Sequence, residues 1–150
     1  MRFLVSDMTD FSATEQFDVI LFPDVLEHIP IEAHENIFST ISKLLKPGGK
    51  VFINIPEPVA MEYIQKNRPE LLQIIDQAIH ADHLIPLAYR HGLLLESTER
   101  YQVYFDQPEY QFYSFCRRNP IQAMHDKSKL SVMSNRLQIK LSNIFRSLFS

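Results

Sequence analysis

An α/β fold is predicted for this 150-residue chain by three observations: two β-prone, nearly continuous apolar runs, an amphipathic helix between them, and a short glycine-containing return from the helix into the second run. A strand, helix, strand order of this kind is a βαβ unit, whose strands pair in parallel through a right-handed crossover.

The elements follow in order. Arg2 to Asp7 is short, apolar and strand-like, and it gives way to a polar loop from Asp10 to Gln16. Phe17-Asp18-Val19-Ile20-Leu21-Phe22 reads as a strand buried on both faces, ended by Pro23. Ile29 to Leu45 reads as a helix, with Ile37, Ile41, Leu44 and Leu45 on its apolar side and Glu32, Glu35 and Lys43 interspersed. Lys46-Pro47-Gly48-Gly49 stops it, and Lys50 to Ile55 is the second buried strand, closed by Pro56 and Pro58. Met61 to Ala81 is predicted helical with an interruption at Pro69, and Leu84 to His91 is a further helix ending at Gly92. Leu93 to Glu96, Glu99 to Phe105 and Tyr110 to Arg117 read as two or three strands, the last pair joined around Pro108 as an antiparallel edge hairpin. The aromatic residues of this stretch alternate in a way that suits core and hairpin packing.

From Pro120 the character changes. Five lysines and arginines face only Asp126, which gives residues 120–150 a net charge of +4 and leaves −7 for residues 1–119 of a chain whose total is −3. Leu130, Met133, Leu137, Leu141, Ile144 and Leu148 recur at helical spacing, so the tail is a basic amphipathic helix. Such a helix suits an anionic membrane surface, or docking on another protein.

The totals exclude other classes. The net charge gives no global reason to expect nucleic acid, one cysteine (Cys116) permits no internal disulfide and no cysteine-rich zinc site, and no apolar run is long enough to span a bilayer. A reducing, cytoplasmic setting is the expectation.

Three motifs stand in order: Phe17-Asp18-Val19 opening a strand, Val25-Leu26-Glu27-His28 just past its end, and Leu45-Lys46-Pro47-Gly48-Gly49 before the next strand. Together they resemble the fourth strand, following helix and fifth strand of the class I S-adenosylmethionine-dependent methyltransferases. The resemblance extends over residues 1–118 and implies a Rossmann-like sheet whose strands lie in the order three-two-one-four-five-seven-six. It also implies S-adenosyl-L-methionine as cofactor, with Asp7 and Met8 at its adenine and Pro23 against its methionine portion. The chain's three glycines, Gly48, Gly49 and Gly92, make no G-x-G turn of the type that holds a nucleoside at a helix N-terminus. The expectation is therefore an N-terminally truncated methyltransferase domain that binds the cofactor poorly by itself. Without the family's first two strands, the edge of the Phe17 to Phe22 strand is exposed.

In methyl transfer the donor is already activated, so the protein supplies alignment and sometimes a base. Asp24, Glu27 and His28 form D-x-x-E-H where a strand turns into a helix. Three readings stand: the carboxylates interact with the helix start, His28 is a general base, or the three bind a divalent cation such as magnesium. The last has support from the resemblance, because E-x-x-E-H occurs at this place in metal-dependent O-methyltransferases, although Asp24 replaces the first glutamate here. His80 and His83 are candidate contacts to substrate. The function this predicts is methyl transfer to oxygen of a small-molecule acceptor, and the rival is a catalytically inert binding or regulatory module on the same scaffold.

Overall fold

The computed structural model describes residues 11, 13–119, 121 and 123–148, so the expected strand from Arg2 to Asp7 lies outside the described residues, as do Asp7 and Met8. The chain divides into two compact units, residues 1–119 and 120–150.

The first unit is built on a four-stranded sheet in the order β1-β2-β4-β3. Strand β1 (Phe17–Pro23) pairs in parallel with β2 (Leu45–Pro56), and helix α1 (His34–Leu44) connects them. Helix α2 (Pro58–Asn67) and helix α3 (Ala81–Arg90) follow, then β3 (Leu93–Tyr101) and β4 (Tyr110–Arg117). Strand β4 is antiparallel to both β2 and β3. This is the arrangement the resemblance implies for strands four, five, seven and six.

One face of the sheet carries the core. Val51, Ile53 and Ile55 of β2 and Tyr113 and Phe115 of β4 are fully buried, packed with Ile37, Phe38 and Ile41 of α1 and Leu84, Leu87 and Ala88 of α3. Alternation along the strands puts the other residues on the opposite face, where Phe52 stacks on Phe112.

Three expectations need correction. β1 is not buried on both faces: Phe22 is buried, but Val19 and Leu21 are 48% and 64% exposed. Among the described residues β1 pairs only with β2, so it is an edge strand and its odd positions have no layer over them. Secondly, the helix after β1 starts at His34 rather than Ile29. Pro30 holds an extended backbone, and two short 3-10 turns, Leu26–His28 and Ile31–Ala33, precede the regular helix. Thirdly, residues 61–81 are not one interrupted helix. α2 begins earlier, at Pro58, where the Glu57 side chain caps the Ala60 amide at 2.9 Å, and beyond Asn67 only the turn Pro69–Leu71 is helical before α3. Of the two or three strands expected here there are two: Leu93 to Tyr101 is a single strand, with a register shift between Leu95 and Ser97, and Tyr104 and Phe105 lie in the loop beyond it.

The Lys46-Pro47-Gly48-Gly49 return is a bulge in β2. Phe17 pairs with Leu45 and Val19 with Lys50, so four residues of β2 stand opposite Asp18 alone. Gly48 adopts φ +77, and a Cβ on Gly49 would lie 2.9 Å from the Lys46 carbonyl oxygen and 3.1 Å from that of Asp18.

The second unit consists of helix α4 (Lys129–Leu148), with the Ser128 hydroxyl accepting from the Ser131 amide at its start.

Candidate functional site

Because β1, β2 and β3 run the same way and β4 runs against them, the ends of the first three and the start of β4 meet at one edge of the sheet. Ligands of open α/β sheets bind outside this carboxyl edge. Pro23 stands opposite Asn54 there, and Tyr110 stands opposite both Pro56 and Tyr101.

Pro23 and Asp24 are exposed. Asp24 has φ +50, the one positive φ outside glycine among the described residues, which turns the chain sharply off the end of β1. Asn54 holds that turn from two sides: its carbonyl accepts the Asp24 amide at 3.0 Å, and its side-chain amide donates to Asp24 Oδ1 at 2.9 Å. The Tyr101 hydroxyl in turn donates to Asn54 Oδ1 at 2.6 Å, and the Tyr101 ring stacks on Tyr110. A polar chain therefore ties the tips of β1, β2 and β3 together, and backbone in a sparsely populated conformation is held at a crevice mouth.

Behind this turn lies an acidic and basic cluster. Glu27 is 2% exposed, and its Oε2 has no hydrogen-bond partner. Burial pushes its carboxyl up to about 7 from 4.5; its own backbone and His28 oppose the rise, while the negative charges of Asp24 and Asp76 add to it. His28 Nδ1 lies 2.6 Å from the Ile75 carbonyl oxygen and 2.9 Å from Asp76 Oδ1. Both partners are acceptors, so Nδ1 carries the hydrogen and donates, and in the neutral ring Nε2 holds the lone pair. Nε2 is 3.8 Å from Glu27 Oε1, too far for a hydrogen bond. The segment supplying Ile75 and Asp76 is anchored to the 3-10 turn by the Gln77 amide, which donates to the Glu27 carbonyl at 3.1 Å, and by the Gln77 side chain, which donates to the Ile29 carbonyl at 2.6 Å.

His83 and His80 are placed differently. His34, fully buried, has Nε2 within 2.9 Å of the Ile29 carbonyl oxygen and 3.2 Å of that of Leu26, so Nε2 donates and Nδ1 accepts from His83 Nε2 at 3.3 Å. Burial holds the His34 imidazole below its ordinary range, in keeping with a neutral ring that ties α1 to α3. His80 pairs with Glu62 at 2.8 Å on an exposed surface. Neither His80 nor His83 lines the cavity of about 590 Å³ that opens between α2, the end of β3 and the loop into β4. Tyr63, Arg68, Arg100, Phe105 and Glu109 are among its walls. Glu109 is itself buried: Oε1 accepts the amides of Val103 and Tyr104, and although burial works against ionisation, these bonds outweigh it and hold the carboxyl below its usual range.

The expected metal centre is not formed. Asp24 is turned toward Asn54, the Glu27 carboxylate points into the interior, and His28 gives its Nδ1 to the 75–76 segment, so the three do not converge on one point. Among the described residues no three histidine, cysteine, aspartate or glutamate side chains could hold a metal ion. Asn54, and the pairing of Asp76 with His28, are what sequence reasoning did not single out. A signal existed for neither at short range, because Asp76 reaches His28 across 48 residues and Asn54 reaches Asp24 across 30.

For a nucleoside sulfonium the fit is partial. The exposed Pro23 and Asp24 at the strand end suit its amino-acid portion, but the described residues provide no glycine turn against which a nucleoside could lie.

Comparison with known proteins agrees with this geometry. Residues 1–53 match the model of a methyltransferase domain. No curated protein matches the chain by sequence. Among solved structures it resembles the N-methyltransferase NodS from Bradyrhizobium japonicum in complex with S-adenosyl-L-homocysteine (TM-score 0.59, 17% identity, 76% of this chain and 53% of that one). It is similar to an S-adenosylmethionine-dependent methyltransferase from Clostridium acetobutylicum (TM-score 0.64, 12% identity, 77% and 64%). It is similar also to magnesium protoporphyrin IX methyltransferase from Synechocystis with bound S-adenosyl-L-homocysteine (TM-score 0.60, 13% identity, 76% and 50%). The chain thus spans between half and two thirds of the length of these relatives.

Proposed function

We propose that this chain, which has the fold of the class I S-adenosylmethionine-dependent methyltransferases, works in methyl transfer from that cofactor to a heteroatom of a small molecule, with His28 as the base. One observation carries the catalytic part of the reading: the His28 ring is held through Nδ1 by Ile75 and Asp76, which leaves Nε2, 3.8 Å from Glu27 Oε1, as the ring's proton acceptor. A base oriented by a carboxylate on its far nitrogen is a recurrent catalytic arrangement.

S-adenosylmethionine, when bound, supplies a methyl group already activated by a sulfonium. Pro23 and the Asp24 turn would hold its methionine end, and Asn54 and Tyr101 keep that turn in place. His28 Nε2 accepts the proton released as the acceptor's hydroxyl or amine becomes methylated, and the Asp76 carboxylate stabilises the imidazolium that results. Glu27, largely protonated below about pH 7, adds little negative charge to the cluster. A hydroxyl acceptor is favoured here, since a hydroxyl gains most from a base. No cation enters the scheme, because Asp24, Glu27 and His28 point to separate partners.

The test uses S-adenosylmethionine labelled in its methyl group, the purified chain and a panel of small phenols, alcohols and amines. Transfer to a hydroxyl is expected at cofactor concentrations high enough to offset the weak binding expected of this chain by itself. His28→Gln is expected to lower it ~10²–10⁴-fold with S-adenosyl-L-homocysteine affinity unchanged by calorimetry. Transfer unaffected by that substitution would remove His28 from the scheme. A second reading, an inert binding module, draws on the partial cofactor fit and on the exposed β1. Calorimetric binding of S-adenosyl-L-homocysteine by the 150-residue chain would defeat it.

A further inference from the structure

The 20-residue helix α4 is about 30 Å long at ~1.5 Å per residue. Leu130, Met133, Leu137 and Leu141 follow one another at intervals of three, four and four, so they form one stripe along it. Their exposures are 79%, 67%, 61% and 47%, so the stripe is exposed from Leu130 to Leu141. At ~100° per residue, Lys129, Arg136 and Lys140 fall together along one border of this stripe, next to Met133. The far side carries the uncharged Ser131, Asn135, Gln138 and Ser142 together with the apolar Val132 and Ile139. No aspartate or glutamate occurs after Asp126. A helix that stays in water ordinarily mixes both signs of charge on its polar side. This one carries a single sign.

We propose that α4 lies in the plane of an anionic lipid surface, its leucine and methionine stripe among the acyl chains and the lysines and arginine of its border at the headgroups. Charge complementarity selects this occupant: a purely cationic border meets lipid phosphates and carboxylates, and the aliphatic stems of Lys129, Arg136 and Lys140 extend beside the stripe while their heads reach outward. A nucleic acid would satisfy the charges but would give the four apolar side chains nowhere to go. No helix among the described residues is long and apolar enough to cross a membrane, so the contact is in-plane.

Co-sedimentation of the full chain with vesicles tests the proposal, comparing phosphatidylcholine alone with phosphatidylcholine and phosphatidylserine together. Binding to the mixed vesicles, falling as salt is raised, and little binding to the neutral ones are expected. Arg136→Glu combined with Lys140→Glu reverses two charges and is expected to weaken binding at least ~10-fold. Met133→Ser combined with Leu137→Ser keeps the charge and is expected to weaken it comparably, because insertion is lost. Helix content of both variants is followed by circular dichroism with and without vesicles. Equal binding to both vesicle types, no binding to either, or full binding by the serine variant would each overturn the proposal. So would retention of the parent chain by a DNA duplex in preference to mixed vesicles.

Discussion

Glu27→Gln gives a direct measure of how unusual the cluster behind β1 is. The carboxyl is buried, has one oxygen without a partner, and is pushed up to about 7 by that burial, against 4.5 in the unfolded chain. The folded state therefore holds its proton more tightly than the unfolded state. Below about pH 4.5 both states are protonated and nothing is lost. Between about 4.5 and 7 the unfolded chain releases the proton first, so stability falls as pH rises, and above about 7 the full cost is present. At ~1.4 kcal/mol per pH unit that difference amounts to about 3 kcal/mol, and screening by the polar surroundings brings it to about 2 kcal/mol. The glutamine side chain has the same shape as the protonated acid and does not ionise. Its own fit adds an offset that does not vary with pH, so the informative quantity is the change with pH. Thermal melts of both proteins between pH 5 and 8 are the assay. About three quarters of that cost falls within this window, so the melting temperature of the variant minus that of the parent is expected to rise with pH by roughly 6 °C, at ~4 °C per kcal/mol for a chain of this size, and to level off above about pH 7. A difference that stays flat across the range would refute the claim that the carboxyl is desolvated.

Three further outcomes are expected. Asp76→Asn removes the carboxylate on His28 Nδ1 but leaves the Ile75 carbonyl, so methyl transfer should fall by ~10–100-fold, less than with His28→Gln; a pH–rate profile and transfer rate identical to the parent would show that Asp76 is structural only. Gly49→Ala places a methyl group against two carbonyl oxygens in the β2 bulge and should destabilise the chain by about 1–3 kcal/mol in urea titration, with unchanged stability arguing against the close approach. Phe38→Ala empties a fully buried position between α1 and the sheet and should cost about 3–5 kcal/mol by the same titration, a loss under about 1 kcal/mol indicating that the core collapses around the gap.

Much of the scaffold is a local property of the chain. Continuous apolar runs, a helix with period near four and a Lys-Pro-Gly-Gly return specify β1, α1 and β2, because each signal acts over a few residues. The resemblance carried the sheet order, and β4 lies antiparallel between β2 and β3 accordingly. Apolar content misled where burial depends on neighbours. Val19 and Leu21 sit in a run that reads as interior, yet β1 occupies an edge among the described residues, and no periodicity along a strand reports what covers it. Pro30 is plain in the sequence, but its delay of α1 to His34 comes from the turn geometry it imposes.

The site divides in the same way. The sequence by itself determined that Asp24, Glu27 and His28 follow a strand end, since their spacing along the chain is fixed. It left open whether they cap a helix, share a metal or act as acid and base. Tertiary structure decided against convergence: Asp24 turns through a positive φ to Asn54, Glu27 goes inward without a partner for one oxygen, and His28 is claimed by Ile75 and Asp76. Each of those partners arrives from a distant segment. Hydrogen-bond direction and desolvation depend on which groups the fold brings within about 3 Å, a distance that residue order does not encode.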